Sequence, residues 1–187
     1  MSHTAETLYT LEELPGIPDC YELIDGELSM MMTPIFRLHG YVVMKIGAAL
    51  AAYVEEQKLG VVFGEQTGFI LTRHPDTVRA PDVAFVREER LPPEGLGHEY
   101  FPGGPDLAVE VLFESNRASA MQRKVTQYFA AGTRLVWVID PLSRAAIVHA
   151  PLRTPITLHE RDVLDGEDVV PGFRYAIEQM FARIRRE

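Results

Sequence analysis

Two acids stand where acids are costly. In PDLAVEVLFESN, residues 105 to 116, Glu110 lies between valines in an apolar run, and in RAPDVAFV, residues 79 to 86, Asp82 follows a proline and opens a second one. A carboxylate taken out of water costs on the order of several kcal/mol unless it is paired, protonated or bound to a cation. If the two acids approach each other, either one takes a proton with a raised pKa or a divalent cation lies between them. Hard oxygen ligands suit Mg²⁺ or Mn²⁺, and the lack of a His/Cys cluster disfavours zinc. A cation held by only two carboxylates keeps several waters, so it is free to bind a phosphate and to activate an attacking water. Lys124 supplies the third charge. It falls three residues after Met121 and four before Tyr128, beside the apolar face of a helical run. From there its ammonium can reach back over the strand end, orient the water or stabilise the phosphorane-like charge of phosphodiester hydrolysis.

These residues need elements to hold them. YELIDGELSMM carries short apolar runs on either side of Asp25-Gly26, the dipeptide best suited to a tight hairpin turn, and predicts an N-terminal β-hairpin. The spacing of Leu38, Val42, Ile46, Leu50 and Val54 predicts an amphipathic helix, with Gly60 as its C-cap. VVFGEQTGFILT reads as strand, bend and strand, followed by a charged turn at RHPDT and then the Asp82 strand. Residues 87 to 105 are dense in Pro and Gly and predict a long loop, the place where substrate contacts are expected. After the Glu110 strand, Ser115 or Asn116 caps a helix whose face is marked by Met121, Val125, Tyr128 and Phe129 and which ends at Gly132. RLVWVID is a strongly apolar strand, AAIVHA and ITLHE a further hairpin, and YAIEQMFARI a short C-terminal helix. The order predicts an α/β (α+β) fold, a single mixed central sheet flanked by helices, in which LAVEVL and LVWVID form a parallel crossover around a helix.

Bulk properties narrow the function classes. The 187 residues, 47% hydrophobic, suffice for one well-buried core, so a single domain over 1–187 is expected. A net charge of −9 argues against a large basic surface that binds nucleic acid through counterion release alone, though a local basic groove stays open. The lone Cys20 cannot form an internal disulfide, and the N-terminus lacks the basic start and apolar core of a signal peptide, which predicts a cytoplasmic location. Nowhere is there an apolar run long enough to span a membrane.

The segments YELIDGEL, APDVAFV, PDLAVEVL, Lys124 with QYFAAG, and VWVIDP resemble the Uma-two family of bacterial restriction-endonuclease-like proteins, within the PD-(D/E)xK nuclease superfamily. The resemblance runs from Tyr21 to the PGF at 171 to 173. It implies a restriction-endonuclease-like fold and a Mg²⁺- or Mn²⁺-dependent endonuclease acting on DNA. Asp82 and Glu110 match the metal-binding carboxylates. The signature's lysine two positions after the acid is replaced by Leu112, and Lys124 matches the lysine displaced onto the next helix. Glu22 matches a family glutamate that completes the acidic cluster, and His39 matches a histidine that follows the hairpin. Phe113-Glu114-Ser115 stands where relatives read Ser-Pro-Ser, and Ala120 replaces an acid usual before the helix lysine. By analogy with folds that cut two strands with two sites, a homodimer is expected.

Plainer roles stay open for each residue. Asp82 can cap a turn after Pro81, Glu110 can pair with Lys124 or an arginine, and Lys124 can lie along apolar neighbours. Glu22 can sit exposed beside the hairpin turn, and His39 can be an inert first-turn residue. Glu65, Asp25, Glu27 and Glu114 read as solvated, and Trp137 and the SMMM run as packing. The competing function is a non-catalytic member of the same fold, a dimeric binding or scaffold protein whose acidic cluster persists as a salt-bridged network.

Overall fold

The computed structural model describes residues 8–17, 21–30, 37–112 and 118–184. Cys20, the Phe113-Glu114-Ser115 segment and the expected caps Ser115 and Asn116 lie outside them. In chain order the elements are β1 (Tyr21–Ile24), β2 (Glu27–Met30), α1 (Arg37–Gln57), β3 (Gly60–Gly64), β4 (Phe69–Thr72), β5 (Thr77–Arg79) and β6 (Val83–Arg87). There follow β7 (Phe101–Pro102), β8 (Leu107–Val111), α2 (Ala118–Ala130), β9 (Leu135–Asp140), β10 (Ala145–His149), β11 (Ile156–Leu158), β12 (Val163–Asp165), β13 (Arg174–Ala176) and α3 (Ile177–Met180).

The expected mixed α/β arrangement is present, but among the described residues the strands form three sheets rather than the single one expected. A six-stranded mixed sheet, ordered β11-β10-β9-β8-β6-β3, forms the centre. A five-stranded sheet, β2-β1-β5-β4-β7, carries the N-terminal hairpin, and β12-β13 pair separately. The hairpin turns at Asp25 and Gly26, with φ of 53° and 85°, as an Asp-Gly turn requires. The crossover is also present, since β8 and β9 pair in parallel on either side of α2. The 87–105 segment is not structureless: Phe101–Pro102 pairs in parallel with β4.

Period-two alternation sends each central strand to two cores. On β8, Leu107, Val109 and Val111 pack with the α1 residues Val42, Ile46, Leu50 and Val54. Ala108 faces the opposite way, into the cluster around Val125 and Tyr128 of α2. Glu110 shares the face of Ala108, so its side chain points at α2. Trp137 of β9 is fully buried on the α1 side, as expected of core packing.

Three local expectations change. The face of α1 opens with His39 rather than Leu38, because His39 is the residue buried in its first turn. The helix also ends before Gly60. Lys58 takes the left-handed conformation at φ 55°, and Leu59 N–H donates to Val54 O. Gly60 instead opens β3 at φ 146°, where a Cβ would lie 2.1 Å from Val86 O. The C-terminal helix shrinks to Ile177–Met180 because Tyr175 pairs with Leu164 across β12 and β13.

Candidate functional site

Strand pairing brings the two acids together. β6 and β8 are antiparallel with Val83 opposite Val109, and Asp82, the residue before β6, lies at the same sheet end as Glu110, near enough for its charge to raise the Glu110 pKa. Asp82 Oδ2 accepts the Val111 N–H at 2.6 Å, which fixes its carboxylate beside the end of β8. On its other side His39 Nε2 of α1 lies 3.4 Å from the same oxygen. Glu65, in the turn after β3, completes a group with His39 and Asp82 in which one ligand atom from each lies within 4.8 Å of the others.

Glu110 is buried and makes polar contacts through both oxygens. Lys124 Nζ lies 2.8 Å from Oε2, and the Tyr128 hydroxyl donates to Oε1 at 2.7 Å. Lys124 and Tyr128 are one turn apart on α2, so the helix face laid over β8 presents both donors to one carboxylate. Burial pushes the Glu110 carboxyl up to about 7; Lys124 pulls the other way, and the charges of Asp82 and Glu22 add to the rise. Burial opposes the Lys124 charge as well, but Glu110 and Glu22 outweigh it and hold the ammonium above its ordinary value. The Tyr128 phenol is held well above its ordinary value by burial and by the nearby carboxylates, so it remains a donor.

Glu22, on β1, reaches the same lysine from the other sheet. Its Oε1 lies 3.3 Å from Lys124 Nζ and accepts the Ala80 N–H at 3.1 Å, and its Oε2 lies 2.7 Å from Arg79 Nη1. Arg79 in turn donates twice to Gln127 Oε1, at 3.1 and 2.6 Å. Burial works against the Glu22 charge, but Lys124 and Arg79 beside it hold the carboxyl below its ordinary value. For His39, burial lowers the imidazole pKa, but the Asp82 hydrogen bond and charge, with Glu65 and the Val111 backbone, raise it on balance.

All five sequence candidates, Asp82, Glu110, Lys124, Glu22 and His39, therefore meet in one region where β1, β6, β8, α1 and α2 converge. The ion pair between Glu110 and Lys124, one of the plainer roles, is present in the geometry. Glu22 is largely buried rather than exposed beside its turn. Sequence reading missed Arg79, Gln127 and the polar role of Tyr128; Glu65 is exposed, as expected, but its place beside Asp82 and His39 was not foreseen. Gln127 and Tyr128 carried a signal, since they fall three and four residues after Lys124 on one helical face. Glu65 carried none, because its approach to Asp82 depends on how the turn after β3 is laid against α1.

The donor chemistry fits a hard divalent cation. Asp82, Glu65 and His39 offer two carboxylates and one imidazole within 4.8 Å of one another, a donor set a divalent cation accepts, and Glu110 lies close enough to Asp82 for the Asp82 charge to raise its pKa. Among the described residues no helix is long and apolar enough to cross a membrane.

No curated protein matches the sequence. Among solved structures the chain is similar to a "putative nuclease belonging to DUF820" from Anabaena variabilis, with a TM-score of 0.81 and 19% identity over 92% of this chain and 97% of that one. At that identity the likeness establishes the fold, which is restriction-endonuclease-like. The model of the Uma2 family, described as "Putative restriction endonuclease", matches residues 7–178, and the chain belongs to that family.

Proposed function

We propose that the protein is a metal-dependent endonuclease that hydrolyses DNA phosphodiester bonds, the whole chain acting as a single domain in the cytoplasm. One observation carries the proposal: a buried glutamate at the end of a central strand, where Asp82 accepts the neighbouring Val111 N–H, meets a largely buried lysine 2.8 Å away. Asp82 and Glu110 are the residues that would hold Mg²⁺ or Mn²⁺, with His39 and Glu65 able to add ligands on the far side of Asp82. When bound, the cation supplies positive charge for the scissile phosphate and lowers the pKa of a coordinated water.

The remaining roles belong to the chain. Lys124 keeps its charge because two carboxylates flank it, so it can orient an attacking water and stabilise charge that develops on the phosphate oxygens. Glu22 acts by holding the ammonium. Anchored by Arg79 and the Ala80 N–H, it keeps Lys124 from swinging out toward solvent. Two cut strands call for two sites, so the active form is a homodimer in this proposal. Static light scattering that gives a monomer removes that part alone.

The fully paired network of Glu110, Lys124, Glu22 and Arg79 also favours a second reading, a non-catalytic binding or scaffold protein in which these ion pairs serve the fold. Cleavage of supercoiled and single-stranded DNA in Mn²⁺ and in Mg²⁺, with Glu110→Ala in parallel, separates the two. Metal-dependent nicking that vanishes in the variant supports the nuclease. Absence of nicking by the wild type in either metal supports the scaffold.

A further inference from the structure

Tyr128 is fully buried in the cluster that includes Ala108, Val125 and Val138, a setting that calls for an aromatic ring and not for a hydroxyl. A phenol in such a place needs an acceptor. The acceptor here is Glu110 Oε1, at 2.7 Å, on the face of β8 that looks at α2. Lys124 occupies the other oxygen, Oε2. A carboxylate has about four lone-pair positions, so these two bonds orient the group and still leave acceptor capacity.

We infer that Tyr128 is a positioning residue for Glu110, whose hydroxyl prevents the carboxylate from turning about its terminal torsion and so presets it for a divalent cation shared with Asp82. The inference rests on the metal reading proposed above. A carboxylate with only the lysine contact would retain a broad range of terminal torsion angles, because that torsion has no sharp staggered minima. A second donor, delivered from the rigid helix that carries the first, removes that freedom before any cation arrives. Ligating carboxylates are commonly held by such outer hydrogen bonds, whose loss weakens metal binding without touching the ligand itself.

The test is calorimetric titration of Mn²⁺ into the wild type, Tyr128→Phe, Tyr128→Leu, Glu110→Gln and Val125→Ala, each first shown to be folded by circular dichroism. Tyr128→Phe removes one oxygen and keeps the ring in its apolar cluster. The expected result is a Kd about 10- to 100-fold weaker in Tyr128→Phe and in Tyr128→Leu. Val125→Ala, which also loosens the α2 core, should keep the wild-type Kd while its melting temperature falls. A merely structural tyrosine would behave like that control. A wild-type Kd in Tyr128→Phe, with binding still lost in Glu110→Gln, overturns the inference and leaves the metal reading standing. Absence of Mn²⁺ binding in the wild type overturns both.

Discussion

Lys124 Nζ lies 2.8 Å from Glu110 Oε2, a largely buried ion pair that ties α2 to the central strand β8. Removing one member of such a pair strands the other. Lys124→Met should therefore destabilise the fold by about 3–5 kcal/mol, read as a shift of the urea midpoint at constant m-value, and should abolish nicking. Glu110→Gln/Lys124→Met should recover a large part of the lost stability while restoring no activity. If the single and double variants are equally unstable, the pair is not coupled as the geometry requires.

The raised Glu110 pKa carries a pH signature. Its folded value of about 7 lies above the ordinary 4.5, so the folded state binds the proton more tightly than the unfolded state. That contribution is fully present below about pH 4.5 and is lost as pH rises through 7, by roughly 3–4 kcal/mol at about 1.4 kcal/mol per unit. Glu22 works in the opposite sense, since its lowered pKa gives stability that is lost as pH falls. Comparing wild type with Glu110→Gln removes the groups that do not interact with Glu110 from the difference. The stability difference should move in favour of the variant between pH 5 and 8, and a difference flat with pH would count against a raised Glu110.

Divalent ions should stabilise the wild type. Binding to the folded state alone adds about 2.7 kcal/mol at a hundredfold excess over Kd, so millimolar Mn²⁺ should raise the melting temperature. Asp82→Ala, which removes the carboxylate common to both ligand sets, should lose that rise. An unchanged melting temperature for the wild type across millimolar Mn²⁺ removes the metal centre from the proposal.

Arg79 should matter for stability through Glu22. Arg79→Met leaves a largely buried carboxylate with Lys124 and one backbone N–H, at a cost of up to about 3–5 kcal/mol. Adding Glu22→Gln should relieve part of it. Strict additivity of the two changes in chemical denaturation would show that the contact contributes nothing.

Two glycines should respond in opposite directions. Gly60→Ala places a Cβ against the Val86 carbonyl at a φ that L-residues rarely adopt, and should destabilise. Gly40, exposed in the first turns of α1, has nothing within 4 Å of an added Cβ, and Gly40→Ala should stabilise by about 0.5–1 kcal/mol. Thermal melts of both variants check this.

The hairpin at Asp25-Gly26, the apolar stripe of α1 and the parallel β8–α2–β9 unit are legible in the chain alone, because turn chemistry, helical period and strand alternation act within short stretches of it. So are Asp82 and Glu110, since a carboxylate inside an apolar strand is conspicuous without any structure, and Lys124, since it borders a helical apolar face. Gly60 was misread as a helix cap because its actual constraint, the Val86 carbonyl, comes from a strand paired in space. What surrounds the two acids follows from the three-dimensional packing. Arg79 and Glu22 are 57 positions apart, and Tyr128 and Glu110 are 18 apart on a helix and a strand whose meeting depends on how α2 lies over the sheet. Polar contacts of this kind have no periodicity to announce them. They form where register and helix placement, set chiefly by apolar packing, bring short-range donors and acceptors within hydrogen-bond reach.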